Sequence, residues 1–388
     1  MISTIGGGSR CCTASSTPSF TCAVSTRRDS DGLIRSGELK RLIDSGTLYG
    51  VTSNPTIFKN AIAGNKDSYP DEIMRLASAG KSAGEIFDEL SARDIVRTAD
   101  LLAETFRRGT GRDGFVSLEV KPSLAFDTDG TIVEARRLWK KIQRPNLFVK
   151  VPATPAGIPA IEALIAEGIS INVTLTFSAP QYVTVAEAFK RGIDRRIGAG
   201  LPLDGLHSVA SIFVSRLDTS VDKELEEKAR NAPPAEKDRL LSLRGRAAVA
   251  NALHVWEEYR SQFFGPGYED RREAGARPQW LLWASTGTKN PAYSDVKYVE
   301  ELEGPDTINT MPRETLDTFL DHGRVRGNRL DPEIESARRT RQALAEAGIS
   351  LQAHCERLLS DGVKSFAAAF DEMMAVIQER SVALLQRR

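Results

Sequence analysis

The chain has 388 residues, and its 52 Lys and Arg are balanced by 52 Asp and Glu. Zero formal charge argues against a surface built for nucleic acid or anionic membrane, both of which select a basic excess. A hydrophobic share of 41% is ordinary for a globular protein, and no apolar run approaches the ~18 residues of a spanning helix.

Residues 1–28 differ from the rest, with eleven Ser or Thr, three Cys, three Arg and no acidic residue. Such a composition fits a transit peptide, or an altered or wrongly read N-terminus. From residue 33 onward, short apolar β-branched runs alternate with amphipathic stretches. The predicted strands are Leu48–Thr52, Phe115–Val120, Leu147–Val151, Ile169–Leu175, Val209–Val214, Trp280–Ala284 and Thr307–Thr310. Predicted helices between them include Glu85–Arg107, Thr131–Lys141, Ile158–Glu167 and Pro180–Arg195. This order predicts a parallel sheet covered by helices, an α/β fold of the (β/α)8 TIM barrel type with extra helices. A closed barrel needs an eighth strand. Phe20–Val24 is the one apolar run left for it, so the first strand is poorly specified.

Residues 29–388 are therefore read as a single barrel domain behind an atypical segment 1–28. The charged stretch 221–262 is read as a helical insertion, and 334–386 as two or three C-terminal helices. Within the latter, Phe366, Phe370, Met373, Met374 and Ile377 recur at helical spacing, which reads as a packing face. Cys11, Cys12, Cys22 and Cys355 suggest no disulfide framework. His207, His254, His322 and His354 show no HxH or HExxH spacing, so no metal site is expected. Neither GxGxxG between a strand and a helix nor GxxxxGK[ST] occurs.

Polar residues cluster at the predicted C-terminal strand ends, the rim where barrels do chemistry. They are Asn54 in Thr52-Ser53-Asn54-Pro55, Glu119, Lys150, Asn172 with Thr174, and Ser211 followed by Arg216. Lys150 stands out, because Leu-Phe-Val-Lys-Val would be buried on both faces. A lysine there is either neutral and nucleophilic toward carbonyls, or paired with Glu119, or snorkelling to solvent. With Glu119 as a proton carrier and Asn172 and Thr174 on nearby strands, the set suits Schiff-base sugar chemistry. Ser211 and Arg216 suit a phosphate or carboxylate, although Arg216 could equally pair with Asp218 or Asp222.

These residues sit in motifs. Gly50-Val51-Thr52-Ser53-Asn54-Pro55-Thr56-Ile57-Phe58 resembles the first transaldolase signature. Leu147-Phe148-Val149-Lys150-Val151-Pro152-Ala153-Thr154 resembles the second. Val116–Val120, Asn172–Leu175, Ser211–Arg216 and Trp283–Pro291 continue the likeness, which covers about residues 33–380 and is similar to the longer bacterial and plant type. The resemblance implies a (β/α)8 barrel without metal or organic cofactor. It implies transfer of a dihydroxyacetone unit from sedoheptulose 7-phosphate to glyceraldehyde 3-phosphate. Lys150 would form the imine, Glu119 would shuttle protons through a water near Thr174, Asn54 and Asn172 would hold the three-carbon unit, and Ser211 and Arg216 would hold the phosphate. Phosphorylated sugars are the expected partners, with a homodimer by family analogy. A cytoplasmic location is expected, or a plastid one if residues 1–28 are a transit peptide.

One departure stands out. The family carries an aspartate at the end of its first strand, expected near position 27, where this chain has Arg27. Asp29 and Asp31 are close but in a polar stretch. The alternative expectation is thus a catalytically impaired sugar-phosphate-binding barrel.

Overall fold

The computed structural model describes residues 21–25, 34–63 and 69–386. Eight parallel strands close into a barrel in chain order. They are β1 (Thr21–Ser25), β2 (Gly50–Thr52), β3 (Phe115–Glu119), β4 (Leu147–Pro152), β5 (Ile171–Thr176), β6 (Ser208–Phe213), β7 (Trp280–Ala284) and β8 (Thr307–Pro312).

The weak first strand is present, one residue later than the predicted run. Val24 lies opposite Val51 on β2 and Met311 on β8. The two open sheet edges expected of a missing strand are therefore closed. Ladder hydrogen bonds come from the backbone, so two waiting edges can recruit a segment whose side-chain pattern is faint. Phe20, Arg27, Asp29 and Asp31 lie outside the described residues.

Side chains alternate along each strand, so one face of every strand fills the barrel. The floor is aromatic. Phe115 stacks on Phe148 with centroids 4.1 Å apart. The His207 ring lies 5.1 Å from Phe115 and 6.1 Å from Trp280. One layer higher, Ser117, Asn172 and Ser211 are joined by hydrogen bonds. At the mouth stand Glu119 and Lys150, two residues beyond Ser117 and Phe148 on the same strand faces.

Three of the predicted helices start earlier than their apolar periodicity suggests, because a polar cap sits in front of them. Ser82 and Glu85 form a capping box, so the helix predicted from Glu85 runs Ala83–Arg108. Asp127 accepts from the Gly130 amide ahead of Thr128–Ile142, and Ser178 from Gln181 ahead of Ala179–Gly198. The β6–β7 connection carries Ser215–Arg230, Pro234–Ser242 and Ala247–Phe264. Its first helix follows β6 directly, earlier than the predicted start near 221. The C-terminal region is two helices, Leu330–Glu346 and Leu351–Gln386. The final helix, 36 residues long, packs on Pro55–Ala63, Pro70–Ser78, Ala83–Arg108 and β5. No helix among the described residues is long and apolar enough to cross a membrane.

His207 gives the floor a pH signature. Burial, assisted by the nearby Arg277 charge, pushes its pKa down to about 4. An unfolded histidine titrates near 6.5, so between about pH 6.5 and 4 the unfolded chain takes up the proton first. The stability from keeping this ring neutral is complete above that window and lost as pH falls through it. Its share is at most about 3 kcal/mol. Urea unfolding at about pH 7 and about pH 4.5 tests this, with His207→Leu expected to show a shallower fall than the parent chain. Equal falls would mean that His207 is not the titrating group.

Candidate active site

Parallel register builds the centre of the site. Glu119 lies opposite Lys150 across β3 and β4, and Asn172 lies opposite it across β4 and β5. Lys150 is 4% exposed. Its Nζ stands 3.3 Å from Glu119 Oε2 and donates to the backbone oxygen of Ser53 at 3.0 Å. Of the alternatives open from sequence, pairing with Glu119 is the one found, and the amine does not snorkel. Burial raises the Glu119 pKa above the usual carboxylate value, and Lys150 opposes it.

The turn after β2 explains the contact with Ser53. Ser53 Oγ donates to the Ser117 carbonyl at 2.7 Å, which holds the Ser53 carbonyl toward β4. Asn54 Oδ1 accepts from the Ile57 amide at 2.8 Å at the start of helix Pro55–Ala63. That bond commits its oxygen to the helix end, while its side-chain amide group remains available to a ligand.

Asn172 is fully buried. Its Nδ2 donates to Ser117 Oγ at 3.1 Å, and its Oδ1 accepts from Ser211 Oγ at 2.7 Å. These two bonds fix the amide's orientation. Thr174 is also fully buried, and its Oγ1 has no hydrogen-bond partner among the described residues. The next residue, Leu175, has a left-handed φ of +56°, and the β5–β6 register shifts between Val173 and Thr176. A strained, bulged strand beside an orphaned hydroxyl is a pattern that functional sites retain.

Arg216 is the second residue of the helix after β6. Its guanidinium lies 5.4 Å from the centre of the Phe213 ring, and burial pushes its pKa down. The rim salt bridge held open from sequence does not form. Asp218 accepts from the Ala248 amide at 2.7 Å and the Tyr298 hydroxyl at 2.8 Å. Asp222 accepts from the Gly245 amide at 2.8 Å and the Tyr293 hydroxyl at 2.7 Å. Among the described residues Arg216 has no carboxylate partner.

A cavity of about 170 Å³ brings Asn54, Lys150, Thr174, Ser211 and Arg216 together. Glu119 reaches it through Lys150, and Asn172 through Ser211. A larger cleft of about 390 Å³ lies between helices Ala247–Phe264 and Leu330–Glu346, away from these residues. Its charges are largely matched with one another, as in Lys297–Glu301, Arg326–Glu300 and Arg329–Glu333.

Sequence reasoning missed four contributors. Ser117 sits two residues before Glu119, so strand periodicity could have found it. Ser53 acts through its backbone carbonyl, which no side-chain pattern reveals. Phe213 and Phe366 line the cavity but sit in apolar patterns that resemble core. Together the set offers a buried amine, a proton-carrying carboxyl group, fixed amides and a desolvated guanidinium. It can form an imine with a carbonyl compound that carries hydroxyls and an anionic group.

Known proteins resemble the chain over most of its length. The family model for transaldolase/fructose-6-phosphate aldolase matches residues 32–377. A transaldolase of Parafrankia sp. strain EAN1pec is 43% identical over 347 residues, covering 89% of this chain and 92% of its own. A transaldolase of Thiobacillus denitrificans is 44% identical over 345 residues, with 89% and 94% covered. A third, from Mycolicibacterium paratuberculosis, is 43% identical over 348 residues, with 89% and 91% covered. A closed parallel barrel, a buried lysine at its mouth and matches of this extent lead to one conclusion: the chain is an enzyme of the transaldolase/fructose-6-phosphate aldolase family.

Proposed function

We propose that the chain moves a dihydroxyacetone unit from sedoheptulose 7-phosphate to glyceraldehyde 3-phosphate, as in the pentose phosphate pathway, through an imine on Lys150. The observation that carries this reading is the buried Lys150 amine, 3.3 Å from the Glu119 carboxylate, in a cavity that also holds the desolvated Arg216. The amine attacks the ketose carbonyl to give a carbinolamine. Glu119, whose pKa burial raises, delivers the proton that lets the hydroxyl leave as water. A water held near the Thr174 hydroxyl relays protons between Glu119 and the substrate.

The protonated imine then draws electrons from the C3–C4 bond. When that bond breaks, the C4 hydroxyl loses its proton, the aldose leaves, and an enamine remains on Lys150. Asn54 and Asn172 hold the hydroxyls of this three-carbon unit. The enamine carbon attacks the acceptor aldehyde, and hydrolysis of the new imine frees the product and the amine. Arg216 holds the sugar phosphate by charge-assisted hydrogen bonds, with Ser211 beside it. Asp29 and Asp31, the first two acidic residues in the chain after Ser25, are the two candidates for the base at the C4 hydroxyl.

Borohydride reduction in the presence of fructose 6-phosphate tests the imine. Peptide mapping should place a three-carbon adduct on Lys150, and no adduct on a folded chain would sink the proposal. Of Asp29→Asn and Asp31→Asn, the one that removes the base is expected to leave a six-carbon adduct, because imine formation survives but cleavage stops. A three-carbon adduct in both variants would assign the base elsewhere.

Glu119→Gln should slow imine formation by about 10²–10⁴-fold, as loss of a proton-transfer group does. Trapping at the parental rate would exclude Glu119 as the proton carrier. Arg216→Ala should raise KM for fructose 6-phosphate about tenfold to a hundredfold and leave KM for unphosphorylated fructose unchanged. Equal effects on both sugars would show that Arg216 does not hold the phosphate.

A further inference from the structure

Phe366 belongs to the apolar face of the final helix, Leu351–Gln386, and packing accounts for most of that face. The structure gives this residue a second setting. It is 3% exposed, yet it lines the cavity that holds Lys150, Thr174 and Arg216.

Two polar ties hold the helix across the mouth. Near its start, His354 Nε2 meets Glu224 Oε2 at 2.8 Å and His354 Nδ1 meets Ser220 Oγ at 2.7 Å. Both partners lie on Ser215–Arg230, the helix that carries Arg216. Further along, Lys59 donates to Glu372 at 2.6 Å, which joins the final helix to the one that Asn54 begins. Between these ties Gly362 rests on Leu175. A Cβ at position 362 would lie 2.9 Å from Leu175 Cδ2. Glycine is a poor helix former, so its place here answers to this close approach. Gly362 and Phe366 are one turn apart on the same face. Gly362 thus lets the helix approach Leu175 one turn before Phe366.

The enamine proposed above has two fates. Its carbon can attack an aldose carbonyl, forming the new C–C bond and completing transfer. Alternatively, the C=C electron pair takes a proton at that carbon, the nitrogen lone pair forms the C=N bond of the iminium ion, and water hydrolyses it. That second route releases free dihydroxyacetone and restores the Lys150 amine. The choice depends on whether water reaches the enamine carbon before the acceptor does.

We infer that Phe366 determines this specificity: as an apolar roof one turn from the Gly362–Leu175 contact, it keeps water off the enamine carbon and favours transfer over release. The inference rests on the Lys150 imine reading. Two measurements on the full chain keep the two apart. One is the ratio of free dihydroxyacetone to fructose 6-phosphate formed from sedoheptulose 7-phosphate and glyceraldehyde 3-phosphate. The other is the borohydride adduct on Lys150.

Phe366→Ala should raise the ratio about tenfold or more, and Phe366→Leu by less, with adduct formation retained in both. Gly362→Ala, which crowds Leu175 Cδ2, should move the ratio in the same direction without touching the ring. Should Phe366→Ala fail to fold, the other two variants still decide. Met373→Ala, a fully buried position on the same helix outside this cavity, is the control for loosened packing and should leave the ratio unchanged. An unchanged ratio in the foldable Phe366 variants and in Gly362→Ala, with the adduct intact, would overturn the inference. So would an equal shift in Met373→Ala. A parent chain without any adduct would instead overturn the imine reading beneath it.

Discussion

The buried contact between Lys150 and Glu119 is the constraint on which the rest of the site depends. Two opposite charges in a barrel core are held out of water at a cost that their attraction repays only with good geometry and further hydrogen bonds. Register supplies the geometry, because Glu119 and Lys150 are direct partners across β3 and β4. The Ser53 carbonyl supplies the further bond to the amine. Removing either partner leaves an uncompensated group that costs about 3–5 kcal/mol, so the pair is structural as well as chemical.

The barrel divides its labour by depth. The aromatic floor carries the packing, with His207 kept neutral among Phe115, Phe106 and Trp280. In the middle layer, hydrogen bonds from Asn172 to Ser117 and from Ser211 to Asn172 fix the amide's orientation. At the mouth, Thr174 Oγ1 has no hydrogen-bond partner among the described residues. Rigid layers below and an unsatisfied hydroxyl above give a site that is preorganised and still open to a ligand. Tyr293 and Tyr298 extend this logic outward. By holding Asp222 and Asp218, they leave Arg216 without a competing carboxylate.

Much of this was legible in the sequence, for identifiable reasons. Seven strands were visible because strands buried on both faces leave continuous apolar runs, and Leu147–Val151 is such a run. Lys150 was conspicuous because it interrupts one. The first strand was faint because Thr21–Ser25 has little pattern of its own and is placed by the edges of β2 and β8. Spacing could not separate a free Arg216 from one paired with Asp218 or Asp222, since the tyrosines that claim those carboxylates lie more than seventy residues away in the chain. Ser53 escaped because a carbonyl has no sequence signature. Phe366 escaped because one helical face can pack a core and roof a cavity at the same time.

Lys150 opposes the burial that pushes the Glu119 carboxyl toward its neutral form. Infrared spectroscopy of the carboxyl C=O stretch in Lys150→Met at neutral pH tests this most directly, with Lys150→Met/Glu119→Gln as the reference. The account predicts a protonated-carboxyl band in the single variant that is absent from the double variant. Identical spectra would contradict it, because Glu119 would then keep its charge without Lys150.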